Sequence, residues 1–97
     1  MTKIINILGY DYTVDTTSET MKSLRGFSGI CNFNNQTITI ANDINKKAVS
    51  SVLIHEIIEA INYHLELKLK HRQISSLECA IFQVLVNNGV NLDSLVE

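Results

Sequence analysis

The chain has 97 residues, of which 45 % are hydrophobic and 19 % are charged, and its formal net charge is −2. This composition is typical of one globular domain over residues 1–97 and excludes an intrinsically disordered chain. The longest basic run, "LKLKHR" at 67–72, is too short to bind a phosphate backbone, so no nucleic-acid partner is expected.

The sequence also argues against a membrane or secreted protein. No apolar run approaches the ~18 residues that a membrane span requires. The N-terminal stretch "MTKIINILGYDYTV" lacks the long apolar segment and small-residue cleavage site of a signal peptide. Cys31 and Cys79 are therefore predicted to be reduced, buried thiols of a cytoplasmic protein.

The first part of the chain predicts two strands and a turn. Residues 3–14 alternate apolar and polar side chains around Gly9, which is typical of a β-hairpin. Thr17 or Ser18 is predicted to cap a short helix or turn that stops at Gly26.

A second hairpin is predicted in "FSGICNFNNQTITIAND". Its turn is placed at Asn34 and Asn35, because asparagine tolerates the left-handed backbone that tight turns need. The β-branched run "TITI" is predicted to return as a strand.

The remaining sequence predicts two helices. Asn42 or Asp43 is expected to cap a helix over about 44–67, whose apolar positions cover more than half of its circumference. Such a helix packs on two sides and is therefore central. A shorter helix is predicted at about 74–87. The predicted fold is α+β, with two β-hairpins packed on a long central helix and a shorter C-terminal helix.

The strongest chemical signal is the stretch His55-Glu56-Ile57-Ile58-Glu59 within the central helix. Residues four apart on a helix lie ~40° apart, so His55 and Glu59 can bind one metal ion. Zinc accepts both imidazole nitrogen and carboxylate oxygen. Glu56 lies ~100° round from His55, beside the metal, where a general base for hydrolysis belongs. A third ligand must come from elsewhere, from His71 or from Glu78.

A simpler interpretation of the same residues stays open. His55, Glu59, Asn62 and Glu66 lie within ~60° of one another on a helix and could form a solvated stripe. The other polar and aromatic candidates are predicted to be surface groups (His64, Lys68, Lys70) or core and rim aromatics (Tyr10, Tyr12, Tyr63).

A strand, "QTITIAND", followed by a helix that carries H-E-x-x-ligand resembles the core of the zincin metallopeptidases, in particular the SprT-type and phage-associated ImmA/IrrE-type families. The resemblance covers about residues 28–80. It implies a zinc-dependent peptidase with a ligand at His55, a catalytic Glu56, and a peptide or host protein paired with an edge strand at 36–41. The chain departs from the zincin pattern at Glu59, where zincins have histidine and where a carboxylate reduces the net positive charge of the metal.

The resemblance leaves the third ligand open. Zincins of the gluzincin type take a glutamate from the following helix, which would be Glu78. His71 is the preferred ligand, because a neutral imidazole leaves the metal a stronger Lewis acid.

The wording "LIHEIIEAINYHLELKLKH..I..LE" is also similar to a family of small proteins from phages and prophages of Gram-positive bacteria, which carries no established activity. It implies a phage-encoded protein in the host cytoplasm. Three functions compete: a metal-dependent peptidase, a non-catalytic module that engages a host protein, and an assembly protein whose long helix mediates oligomerisation.

Overall fold

A computed structural model describes residues 3–96, and this range contains four β-strands and two α-helices. The strands are β1 (Lys3–Ile7), β2 (Tyr10–Asp15), β3 (Gly29–Asn32) and β4 (Thr37–Ile40). The helices, of 17 residues each, are α1 (Val49–Leu65) and α2 (His71–Asn87). Short 3₁₀ turns at Lys46–Ala48 and Asp93–Leu95 precede α1 and follow α2. The predicted α+β class is confirmed.

The four strands form one sheet in the order β1-β2-β4-β3. Both hairpins are antiparallel, and they join through a parallel pairing of β2 with β4. The prediction that residues 36–41 form an edge strand is therefore wrong, because β4 is paired on both sides and β3 forms the edge. The reason is burial: Ile38 and Ile40 of β4 are both 0 % exposed, which suits an interior strand.

Helix α1 lies between the sheet and α2. Against the sheet, Leu53 of α1 joins Tyr12 and Ile38 in the main core, and all three side chains are 0 % exposed. On its other side, Ile54 and Ile58 pack with Ile74 of α2 in a second cluster. Burying each such side chain stabilises the fold by about 1.5–3 kcal/mol. The predicted central helix with two packed sides is confirmed.

The start of α1 is capped differently from the prediction. Asn45 caps the 3₁₀ turn, because its Oδ1 accepts a hydrogen bond from the backbone N–H of Lys47 at 2.9 Å. Asp43 instead accepts from the backbone N–H of Met21 at 2.8 Å and so ties down the preceding loop. Asn42 also holds that loop, because its side-chain amide donates a hydrogen bond to the carbonyl oxygen of Thr17 at 3.0 Å.

The turns also differ in detail from the prediction. Residues 21–26 form turns without an α-helix, and Gly26 ends them at a φ of 89°. In the β3–β4 hairpin the left-handed residue is Gln36, with φ 54°, and not Asn34 or Asn35. The Asn32 side chain accepts the backbone N–H groups of both turn asparagines and so fixes the turn.

Helix α2 begins three residues earlier than predicted. The Gln73 side chain accepts a hydrogen bond from the backbone N–H of Lys70 at 2.8 Å, which stabilises an additional first turn. His71 is therefore the first residue of a helix and not part of a loop. No helix within residues 3–96 is long and apolar enough to cross a membrane.

His64 is not the surface group that its sequence position suggested. Its Nε2 lies 2.7 Å from the Tyr12 hydroxyl, and its ring stacks on that of Tyr10 with centroids 4.0 Å apart. A buried tyrosine hydroxyl needs such a partner. The prediction for the tyrosines is confirmed, since Tyr12 is in the core whereas Tyr10 and Tyr63 are exposed at the rim.

The two cysteines are free thiols, as predicted. Cys31 of β3 is half-buried, whereas Cys79 is exposed on α2, so the prediction of burial is wrong for Cys79. Cys79 is not among the α2 residues that pack on α1, which its apolar neighbours in the sequence do not reveal.

Candidate metal centre

One face of α1 carries both predicted ligands of the motif. The helix is unbroken from Val49 to Leu65, and Nε2 of His55 lies 3.7 Å from Oε2 of Glu59. The predicted shared face, with both side chains in reach of a common point, is confirmed.

The connection between the helices brings His71 to the same place. The Asn62 side chain accepts a hydrogen bond from the backbone N–H of Leu69 at 2.8 Å and thereby holds the chain that leads into α2. The rings of His55 and His71 then lie 5.4 Å apart. His55, Glu59 and His71 each offer one ligand atom, and these atoms lie within 4.8 Å of one another. The preferred ligand set of the sequence is thus brought together.

Glu78, the alternative third ligand, occupies a different position. Its Oε1 lies 2.7 Å from Nδ1 of His55, and its Oε2 accepts a hydrogen bond from the Ser51 hydroxyl at 2.6 Å. A carboxylate only accepts hydrogen bonds, so this contact requires a proton on Nδ1; in the neutral ring the lone pair is then on Nε2, the nitrogen that lies 3.7 Å from Glu59. Glu78 therefore orients and polarises His55 from behind, as carboxylates do for metal-binding histidines.

The three ligand atoms fit zinc after a small closure. A tetrahedral ion with bonds of 2.0–2.1 Å holds its ligand atoms about 3.3 Å apart. The pair formed by His55 and Glu59 is already close to that spacing, at 3.7 Å. His71 is exposed at the start of its helix, and its Nε2 lies 3.5 Å from the Ser75 hydroxyl, a long contact that its ring would give up on turning toward the other two. Three protein ligands also leave one position open, which is the pattern of catalytic zinc sites.

Glu56 is buried beside these ligands, with only 5 % of its surface exposed. Desolvation raises the pKa of its carboxyl to about 7, an effect that His55 opposes and that Glu59 and Glu78 reinforce. Its carboxylate lines the same cleft as His55, Glu59 and His71. A general base needs this combination of position and near-neutral pKa.

The edge strand β3 forms the opposite wall of this cleft, through Gly29 and Cys31. Burial, with the nearby Glu56 and Glu59 carboxylates, raises the pKa of the Cys31 thiol to about 12. Cys31 is therefore a neutral thiol at pH 7 and adds no charge to the cleft.

The interpretation as a solvated stripe does not describe these residues. The side chains of His55 and Glu59 are only 16 % and 31 % exposed, and Asn62 is engaged with the backbone of Leu69. Only Glu66, the left-handed residue that ends α1, is exposed to solvent.

Gly29 lets β3 approach the helix closely. A Cβ atom at this position would lie 2.6 Å from Cγ1 of Val52, 3.2 Å from Oε2 of Glu56 and 3.3 Å from the carbonyl oxygen of Thr39. The strand could not hold its present distance from α1 with a larger residue here. Sequence reasoning gave Gly29 no role, because the contact joins residues that are 23 and 27 positions apart.

Gly29→Ala is expected to lower the free energy of unfolding by about 1–3 kcal/mol, because the added methyl overpacks the contact between β3 and α1. Urea denaturation of the metal-free chain measures this change. Gly89→Ala is not a matched control, since Gly89 has a φ of 74°. Ser76→Ala on the exposed face of α2 is suitable, and it should change stability far less. An unchanged midpoint for Gly29→Ala would contradict the close contact.

Comparison with known proteins identifies no relative of this chain. No protein-family model, no curated protein and no solved structure matches the chain significantly. The resemblances to zincins and to phage proteins therefore stay predictions, and the function has to be argued from the site itself.

Proposed function

We propose that this chain binds zinc through His55, Glu59 and His71 and hydrolyses a peptide bond with Glu56 as general base. The observation that supports this proposal most directly is the convergence of three ligand atoms within 4.8 Å. Two independent features agree with it: Glu78 fixes the ring of His55, and a buried carboxylate lies beside the ligands.

Each residue has a distinct task in this proposal. A bound zinc ion would supply Lewis acidity that polarises the carbonyl of a peptide bond. Glu56 takes a proton from a water molecule in the cleft and returns it to the leaving nitrogen. Glu78 holds the Nδ1 proton of His55, so that Nε2 keeps its lone pair free.

The substrate would pair with β3, since β4 is interior. The backbone N–H of Ala41 donates to the carbonyl oxygen of Ser28 at 2.8 Å, so alternate β3 residues turn their backbone groups toward β4. Gly29 and Cys31 then turn theirs to the free edge. Within residues 3–96 no backbone hydrogen bond joins this edge to another segment. Extended peptides bind such edges by β-strand addition.

A non-catalytic binding or assembly module, encoded by a phage, is the second candidate. The observation that favours it is an apolar stripe on the outer face of α2, where Leu77, Ile81 and Val84 are between 40 % and 54 % exposed. A host protein or a second copy could cover this stripe. The second candidate needs no metal.

Calorimetric titration of zinc into the purified chain tests the proposed function. The wild type is expected to bind one zinc ion, and Glu59→His is expected to bind it roughly tenfold more tightly, because imidazole is a better zinc ligand than carboxylate here. Glu66→His is the matched control, since it adds a histidine to an exposed position beyond the cluster. No zinc binding by either the wild type or Glu59→His would contradict the proposal.

A further inference from the structure

The cleft beside the candidate metal centre has an aromatic side chain at each end. Phe27 precedes β3 and is 62 % exposed. Phe33 follows β3 and stacks on Tyr63 of α1, with ring centroids 4.2 Å apart and an angle of 5° between the rings. Tyr63 lies one helical turn beyond Glu59, so the stack holds Phe33, which lines the cleft, near the ligand-bearing part of α1.

Small residues separate the two phenylalanines. Phe27, Gly29, Cys31 and Phe33 line the same cleft, so on this face of the strand two small residues lie between two large ones; Ile30, the other residue of this segment in the lining, lies between Gly29 and Cys31 in sequence. Only Gly29–Asn32 between them is strand, so at about 3.3 Å per residue the six residues from Phe27 to Phe33 span at most roughly 20 Å. Gly29 and Cys31 present little side-chain bulk to the cleft, and Gly29 packs directly against Val52 and the Glu56 carboxylate.

The charge of the cleft narrows the class of ligand. Among the described residues that line it there is no lysine or arginine, whereas Glu56 and Glu59 contribute carboxyl groups. Phosphate-bearing ligands are therefore disfavoured. The free backbone groups of Gly29 and Cys31 match those of an extended peptide, and the exposed ring of Phe27 gains by being covered with apolar surface.

We propose that the cleft recognises an extended peptide segment with large apolar, preferably aromatic, side chains at two positions six residues apart, which pack on Phe27 and on the Phe33–Tyr63 stack. The residues between them face Gly29 and Cys31 and are small. This inference rests on the proposed function in one respect, namely that the segment lies over the same site. It adds the class of substrate.

Peptide titration followed by NMR of the ¹⁵N-labelled full chain tests the inference. The chain carries Glu56→Gln so that the peptide stays intact. The first peptide has phenylalanines six residues apart with glycine and alanine between them, the second has serines in their place, and the third has the phenylalanines three apart. The first is expected to shift the amides of Gly29 and Cys31 and to bind about tenfold more tightly than the other two.

Variants of the chain provide the matched comparison. Phe27→Ala and Phe33→Ala should each remove most of the advantage of the first peptide. Ile4→Ala should keep it, because Ile4 is equally apolar, 68 % exposed, and lies on β1 at the other edge of the sheet. Phe27 makes no aromatic stack in the described residues, so its replacement is not expected to disturb folding.

The outcomes separate this inference from the proposed function. Equal affinities for the three peptides, or shifts that avoid β3, would overturn the inference. Zinc is titrated into the same samples. Zinc binding without a peptide preference overturns only the inference, whereas a peptide preference without zinc binding supports the inference and overturns the proposed peptidase.

Discussion

His55→Ala is expected to weaken zinc binding by roughly a thousandfold or more, because it removes one of the three proposed protein ligands. Four-ligand zinc sites of zinc-finger peptides, for comparison, bind with about 10–16 kcal/mol. The structure sharpens this expectation, since His55 is the residue that both Glu59 and Glu78 contact. Calorimetry at pH 7, or competition with a chromophoric chelator, measures the loss.

Glu78→Gln is expected to weaken zinc binding at the same site by less than His55→Ala does. The amide oxygen can still accept a hydrogen bond from the Nδ1–H group of His55, but it does not polarise the ring as a carboxylate does. The zinc affinity is therefore expected to fall by about 10–100-fold. A loss as large as that of His55→Ala would instead make Glu78 a direct ligand, as the alternative from the sequence had it.

His64→Gln is the control for His55→Ala, because it removes a histidine from the same helix without touching the cluster. It should cost stability through the Tyr12 contact and leave zinc affinity unchanged. Equal zinc affinities for His55→Ala and His64→Gln would remove the proposed metal site.

The shared face of His55 and Glu59 could be predicted from the sequence because a helix fixes the relation of residues four apart. The period of 3.6 residues places His55 and Glu59 on one face whatever packs around them. The same rule places His64 on the face of α1 opposite to His55, and the structure has it there. The opposite face of α1, however, is covered by the sheet and not by water, so His64 meets Tyr12 instead of solvent.

Whether His71 or Glu78 lies with His55 and Glu59 depends on how α2 begins, and local sequence gives little guidance there. The first turn of α2 forms because Gln73 caps it, and this turn carries His71 to the cluster. Glu78 lies two helical turns further on and therefore reaches His55 from the side of Ser51. The choice between the two residues is decided by the packing of α2 on α1, which contacts distant in sequence determine.

The order of the strands in the sheet could not be predicted from the sequence for a similar reason. Alternation with a period of two residues predicts that β4 is a strand with one buried face, but it does not identify its neighbours. The two hairpins are joined by a parallel pairing of β2 with β4, which runs from Thr13 opposite Thr37 to Asp15 opposite Thr39. Nothing in the sequence of either hairpin indicates this pairing. That pairing moves the free edge from β4 to β3, and so moves the place where an extended ligand can bind.

The cluster holds more carboxylates than cations, which explains how Glu59 is compatible with a metal. Glu56, Glu59 and Glu78 surround His55, and their mutual repulsion adds to the raised pKa of Glu56. A divalent cation would relieve this repulsion. The carboxylate at the position where zincins have histidine would therefore weaken the Lewis acidity of a bound ion and would attract the ion electrostatically, although imidazole is the better zinc ligand at this position.

Glu56→Gln is expected to lower any peptide hydrolysis by about 10²–10⁴-fold while leaving zinc affinity nearly unchanged, because a base moves a proton and does not bind the ion. It should also change the response of the metal-free chain to pH. Burial raises the pKa of Glu56 from 4.5 to about 7, so the folded chain binds more protons than the unfolded chain between these values. The free energy of unfolding of the wild type should therefore fall by up to about 3 kcal/mol as pH rises through this range.

Urea denaturation at a series of pH values, with chelator present, measures that fall, and Glu56→Gln should flatten it because glutamine does not titrate. Glu66→Gln is the control: it removes the same charge from an exposed position and should keep the pH dependence of the wild type. Bound zinc should reduce the pH-dependent decrease in the free energy of unfolding of the wild type, since a nearby cation favours the ionised carboxyl. A pH dependence between pH 4.5 and 7 that is the same in the wild type and in Glu56→Gln would contradict the raised pKa of Glu56. The buried carboxyl would then be too weak a base for the role proposed for it.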